Sequence, residues 1–229
     1  RRGHRCQGHE GPHPQAAFSV TLPPLAPSQP QRIIQRMPTR TFLALDLDDA
    51  VLDSLEEARR RLVDGVDDKG IRWVVRENLH VTLAFAGSVN DEQLADICRE
   101  VRPICQAIEP FDFQLKGVTC QPPGGHRCPR MIWANIEDPT GRLAMLQDSI
   151  NGMMGSMGLR SEVREYLPHV TMARINSCRD AEGLRNRAKK LASMDLGVQH
   201  ADEIVICASI LAQTGARYRP LARFPLGDA

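Results

Sequence analysis

The chain has 229 residues, with 29 Lys and Arg set against 28 Asp and Glu for a formal net charge of +1. That length suits one large domain or two small lobes. Near-balanced charge argues against a protein that coats nucleic acid non-specifically, yet leaves room for a small basic pocket that reads one phosphate. No apolar run approaches the roughly 18 residues of a membrane span. The mildly apolar stretch 16–22 stops at Pro23 and Pro24, too short and polar for a secretory signal. The 7 cysteines are an odd number with no C-x-x-C pair, which reads as reduced thiols in a cytoplasmic protein. Cys120, His126 and Cys128 cluster in CQPPGGHRC, but a fourth zinc ligand is missing nearby, so this stretch reads as a Pro/Gly-rich turn with incidental thiols.

In chain order, residues 1–37 are rich in Pro, Gln and Arg without sustained periodicity. They are expected to be a disordered N-terminal extension. The chain opens on Arg1, and Met37 directly precedes the first clear strand, so the folded part is expected to span 38–229 as a single bilobal domain. TFLALDL (41–47) reads as a buried strand. Asp48 or Asp49 would cap a helix running to about Val63. IRWVV (71–75) and LHVTLAFAG (79–87) read as strands. Asn90 or Asp91 would cap a second helix ending near Arg102, and FDFQLKGVTC (111–120) alternates like a half-buried strand. In the second half, RMIWANI (130–136) predicts a strand, 140–157 a helix, and PHVTMARI (168–175) a strand. Residues 179–193 predict a helix, 203–212 a strand, and 216–226 an edge strand. Each half thus carries one His-x-Thr strand in a matching place, the pattern of an internal duplication into two pseudo-symmetric lobes.

HVTL (80–83) and HVTM (169–172) carry the chemistry. Strand side chains alternate, so His80 and Thr82 share a face about 7 Å apart along the chain. Val81, Leu83 and Phe85 are expected to face the core, with Ala84 and Ala86 continuing the His/Thr face. In the second copy His169, Thr171 and Ala173 share a face, with Val170 and Met172 turned inward. Side by side, the two strands would line a groove with two imidazoles and two hydroxyls. A neutral imidazole can take a proton from water while a protonated one gives a proton to a leaving ribose oxygen. The hydroxyls can donate to phosphate oxygens.

These residues and their flanks resemble the 2H phosphoesterases, most closely the bacterial RNA 2′,3′-cyclic phosphodiesterases, once called 2′-5′ RNA ligases. The likeness covers about residues 40–226. It includes RTFLALDL, the segment from Trp73 to Gly87, PHVTMAR (168–174), and the closing Y-x-P-L-x-R-F from Tyr218 to Phe224. The resemblance implies that His80 is the proton donor, His169 the proton acceptor, and that Thr82 and Thr171 bind the phosphate. Arg174 matches an Arg that often follows the second motif and would reach a phosphate oxygen. By its position alone, Arg174 reads equally well as a solvated residue at a strand end. The implied fold is α+β: two pseudo-symmetric lobes of antiparallel sheet with outer helices and a groove between them. The implied reaction opens RNA 2′,3′-cyclic phosphate ends to 2′-phosphomonoesters, with 2′-5′ ligase activity in some members. No metal, cofactor or membrane is expected; a monomer is.

Three other readings stand beside this one. The same four residues would serve a small cyclic nucleotide such as an ADP-ribose cyclic phosphate. A non-catalytic module holding RNA ends would not need two groups that titrate near neutrality. A metal-dependent phosphoesterase would need carboxylates near the histidines, and neither motif contains one. The departures from the family pattern are the N-terminal extension and the turn at 120–128, where Arg127 and Arg130 could touch RNA.

Overall fold

A computed structural model describes residues 38–65, 69–124, 127–159, 165–212 and 215–227. The extension expected over 1–37 lies outside them, as do residues 66–68, 125–126 (with His126), 160–164, 213–214 and 228–229.

The apolar run after Arg40 becomes β1 (Thr39–Leu45), in which every residue from Thr41 onward is buried, as a central strand requires. Helix α1 (Asp49–Val63) follows, with Val51, Leu55, Ala58 and Leu62 on its inner face. Next come β2 (Ile71–Trp73), a 3₁₀ turn (Arg76–Asn78), and β3 (Val81–Val89). Helix α2 (Asp91–Gln106) opens with a reciprocal cap: the Asn90 side chain accepts from the Gln93 N–H, and the Gln93 side chain accepts from the Asn90 N–H. It passes Arg102 and carries Pro103 in its last turn. Strands β4 (Phe111–Gln121) and β5 (Met131–Glu137) lead to α3 (Arg142–Ser156). Then follow β6 (His169–Ile175), α4 (Ala181–Lys190), β7 (Asp195–Ala201), β8 (Glu203–Ala212) and β9 (Gly215–Pro225).

The strands form one antiparallel sheet in the order β7-β4-β5-β6-β3-β1-β8-β9, with β2 also pairing β6. Its centre is the junction of the two histidine strands. The duplication is visible as a repeated order, β1-α1-β3-α2-β4 and then β5-α3-β6-α4-β8, with the last strand of each half exchanged. β4 pairs with β5 of the second half, and β8 pairs with β1 of the first. The two lobes are therefore β3-β1-β8-β9 and β6-β5-β4-β7. This refines the expected picture of two lobes drawn from two half-chains.

The main core lies on one face of the sheet, against the helices, and includes Leu43, Leu55, Ile97, Leu115, Leu146 and Ile206. Each such fully buried side chain contributes about 1.5–3 kcal/mol. A smaller cluster of Phe42, Ala44, Val205 and Cys207, with Tyr218 against it, lies apart from the main core. Phe42 and Ala44 alternate along β1 with the core residues Leu43 and Leu45, so this cluster lines the opposite face. That face is the groove.

Two expectations need correction. Strand β7 has no counterpart among the expected elements. Its inward positions are Leu196, Gln199 and Ala201, and the alternation breaks where Leu196 stands as an extra residue beside Gly197 (φ 104°). The buried Gln199 is satisfied: its carbonyl oxygen accepts from the Asp48 N–H at 2.7 Å and its amide donates to the His200 carbonyl at 2.7 Å. The cysteines are not all reduced. Cys128 and Cys178 are joined by a disulfide with Cα atoms 5.8 Å apart, tying the β4–β5 turn to the start of the β6–α4 connection. Arg185 of α4 holds the same turn by donating to the carbonyls of Pro122 and Arg127. Among the described residues, Cys98, Cys105, Cys120 and Cys207 are free thiols.

Candidate active site

His80 immediately precedes β3, and His169 is the first residue of β6. The two strands pair at Val81 and Val170. One step from that pair in an antiparallel register, His80 stands across from Thr171, and Thr82 across from His169. The four residues expected to act together are thus brought together at the centre of the sheet.

Both imidazoles are pinned in the same way. His80 Nδ1 donates to the Asn78 carbonyl at 2.7 Å, and His169 Nδ1 donates to the Leu167 carbonyl at 2.7 Å. Because a carbonyl can only accept, each ring carries its proton on Nδ1 and leaves Nε2 to titrate. His80 Nε2 lies 2.9 Å from Thr82 Oγ1, which donates to it when the ring is neutral. Asn78 is fixed in turn: its amide donates to the Ala216 carbonyl at 2.7 Å, and its side-chain oxygen accepts from the Tyr218 N–H. Aromatic walls hold the ring planes. His80 meets Phe42 and, edge-on, Tyr218 at centroid distances of 4.9 and 5.2 Å. His169 stacks on Trp133 at 3.6 Å with a 16° interplanar angle. The Trp133 indole N–H is buried without a hydrogen-bond partner among the described residues.

Burial pushes the His80 imidazole below its ordinary value; the Asn78 carbonyl and Asp46 oppose that shift, while His169 and Arg174 reinforce it. Burial also lowers His169, opposed by the Leu167 carbonyl and reinforced by Arg174. Arg174 therefore stands close enough to act on both rings.

A shared backbone irregularity explains how Arg174 reaches them. Along β3 the partners of Leu43 and Ala44 are Ala84 and Thr82, so Leu83 is an extra residue. Along β6 the partners of Ile132 and Trp133 are Ala173 and Thr171, so Met172 is extra. In each copy the two residues after Thr are both buried, and alternation resumes one step out of phase. The sixth residue of each motif, Phe85 or Arg174, then turns out toward the groove. Phe85 is 55% exposed, while Ala84 and Ala86 are buried. This reverses the expected orientation of Phe85, Ala84 and Ala86, and it also removes Ala173 from the His/Thr face.

A cavity of about 330 Å³ opens beside the pair, lined by Thr82, Phe85, Trp133, Glu165, Tyr166 and His169 among others. Tyr166 donates to the Thr82 carbonyl at 3.1 Å, and burial raises its hydroxyl pKa. A smaller space of about 120 Å³ adjoins His80, with Phe42, Asp46, Cys207, Tyr218 and Arg223 around it. A wider cavity of about 650 Å³ lies between β4 and α4 at the disulfide, but it contains neither histidine, so chemistry rather than size places the site. Arg127, Arg130 and Arg174 do not converge on a single cavity among the described residues. The groups that sequence reasoning missed are Asp46, Asn78, Trp133, Tyr166 and the Leu167 carbonyl. One signal was available: Asn78 and Leu167 each stand two residues before a motif histidine.

Residues 45–130 match the family model described as LigT-like phosphoesterase. The RNA 2′,3′-cyclic phosphodiesterase of Methanothermobacter thermautotrophicus is 31% identical over 190 residues, covering 83% of this chain and 100% of that protein. The protein of that name from Escherichia coli K12 is 26% identical, covering 82% of this chain and 97% of the relative. Among solved structures, TT0787 of Thermus thermophilus superposes with a TM-score of 0.69 at 23% identity, covering 83% of this chain and 100% of that one. Apo LigT of E. coli gives 0.65 at 24% identity, covering 84% and 99%. At such identities the structures establish the fold, a curled antiparallel sheet with four helices outside. With a full-length relative at 31% identity, and with the paired histidine strands at its centre, the chain belongs to the LigT-like phosphoesterase family.

Proposed function

We propose that this protein opens 2′,3′-cyclic phosphates at RNA ends and leaves a 2′-phosphomonoester. The observation that carries the reading is the pair of Nδ1-anchored imidazoles flanking a junction that also presents two threonine hydroxyls. The relatives named RNA 2′,3′-cyclic phosphodiesterase support the substrate class.

In this scheme neutral His169 Nε2 takes a proton from water, whose oxygen attacks phosphorus. The bond from phosphorus to the ribose 3′-oxygen breaks in line, and His80 Nε2–H protonates that oxygen. Thr82, Thr171 and Arg174 donate to the non-bridging oxygens as charge builds on them. The lowered pKa of His169 suits a base that must be neutral at working pH. A short RNA ending in a 2′,3′-cyclic phosphate tests the reading by product identity. A 2′-phosphate should accumulate, resolved from the 3′ isomer by ³¹P NMR; a 3′-phosphate, or no opening, would contradict it.

A further inference from the structure

The pseudo-symmetry that equates the two histidines fails at the cross-strand partner of each. In the second lobe Asn135 faces His169 in register on β5. In the first lobe the corresponding partner follows Leu45, which faces Val81; it is Asp46, which shares the small cavity with His80. A neutral amide beside one imidazole is thus matched by a carboxylate beside the other. We propose that Asp46 is the positioning residue that divides the acid and base roles, keeping His80 protonated while Asn135 leaves His169 neutral. The proposal rests on the two-histidine reading above.

The setting of each group supports it. Asp46 accepts from Arg223 at 2.9 Å, and Arg223 also donates to Glu203. Two carboxylates share one guanidinium, so the cluster retains a net negative charge at the end of β1 next to His80. The other groups facing His80 are Glu77 from the 3₁₀ turn, Cys207 of β8, Tyr218 of β9, and His169 and Arg174 of β6. Cys207 is pushed up to about 11, chiefly by burial, and so stays neutral. His169 has Arg174 on its own strand, and Glu165 on the exposed rim of their shared cavity. Asn135 accepts from the Thr119 hydroxyl at 2.8 Å, which orients the amide without adding charge. Both rings are lowered by burial, so the donor is the one that needs a counter-charge, and Asp46 opposes that lowering at His80.

The test is a side-chain NMR titration of both histidines in the full chain, compared with Asp46→Asn, Asn135→Asp and Glu165→Gln. The dependence of kcat/KM on pH would be measured alongside on the cyclic-phosphate RNA. Asp46→Asn should lower the His80 titration by about half to one pH unit and leave His169 in place. The alkaline limb of the rate profile should move down with it, cutting activity at pH 8 about 3- to 10-fold, with the acid limb unmoved. Asp46→Glu should restore the limb, and Asn135→Asp should raise His169. The proposal is overturned if His80 does not move in Asp46→Asn. It is also overturned if Glu165→Gln shifts His169 as far as Asp46→Asn shifts His80, or if activity falls equally at every pH. A parent chain that does not open the RNA, yet shows the His80 shift, would sink the reading of the reaction and leave the charge division standing.

Discussion

Val81 faces Val170 at the junction of the two histidine strands, and both side chains are fully buried. On either side of this pair the strands part toward other partners: β3 to β1, and β6 to β5 and β2. The pair therefore fixes the register in which the two imidazoles and two hydroxyls meet. Truncating Val170 to Ala should destabilise the protein by about 2 kcal/mol through lost burial and a residual cavity. Urea unfolding checks the stability change. A kcat loss larger than expected for a residue that touches no substrate should accompany it, because the register loosens.

Trp133 sets both the plane and the environment of His169. Replacing it with Ala exposes the ring to water and relieves part of the burial that lowers its pKa, while Arg174 still acts on it. His169 should then titrate nearer its ordinary value of about 6.5. A base must be neutral to act, so the acid limb of kcat/KM should move to higher pH. At pH 7, kcat should fall about 10-fold or more as the ring loses its orientation.

Phe85 and Arg174, brought to the groove by matched bulges, should give different kinetic signatures. Arg174→Ala removes the charge-assisted donor proposed for the phosphate and should lower kcat/KM about 10- to 100-fold, with Lys restoring only part. Phe85→Ala removes a platform on which a base can stack, worth roughly 1–3 kcal/mol. It should raise KM several-fold with little change in kcat, measured on the same cyclic-phosphate RNA.

The disulfide closes a segment with a sequence separation of 50 residues. Reduction, or Cys128→Ser with Cys178→Ser, should lower stability by about 2–4 kcal/mol. Activity should remain within about two-fold, since the bond lies away from both imidazoles. Denaturation midpoints and rates with and without reductant check this.

The histidine–threonine quartet was legible because a strand repeats every two residues, and His80, Thr82, His169 and Thr171 all precede the irregularity in their strands. The positions beyond the irregularity were not legible. A bulge adds one residue without marking it in composition, so Phe85 read as core and Arg174 as a strand end. β7 escaped because its central buried residue is the polar Gln199, whose partners at Asp48 and His200 exist only once the sheet is built. The Cys128–Cys178 bond has no spacing signature either, because two loops from different lobe strands meet only in the fold. Asp46 and Asn135 were invisible as a contrast, since their equivalence depends on register across β1 and β5.

The proposed reaction stands on two imidazoles that do the proton transfers. It is probed at its root by the opening of a short RNA 2′,3′-cyclic phosphate in EDTA, with the parent chain, His80→Ala and His169→Ala side by side. The parent should open the ring, and each variant should lose about 100-fold or more in rate, with little further loss when both are combined. Full activity in either single variant, with the fold intact, would contradict the two-histidine mechanism.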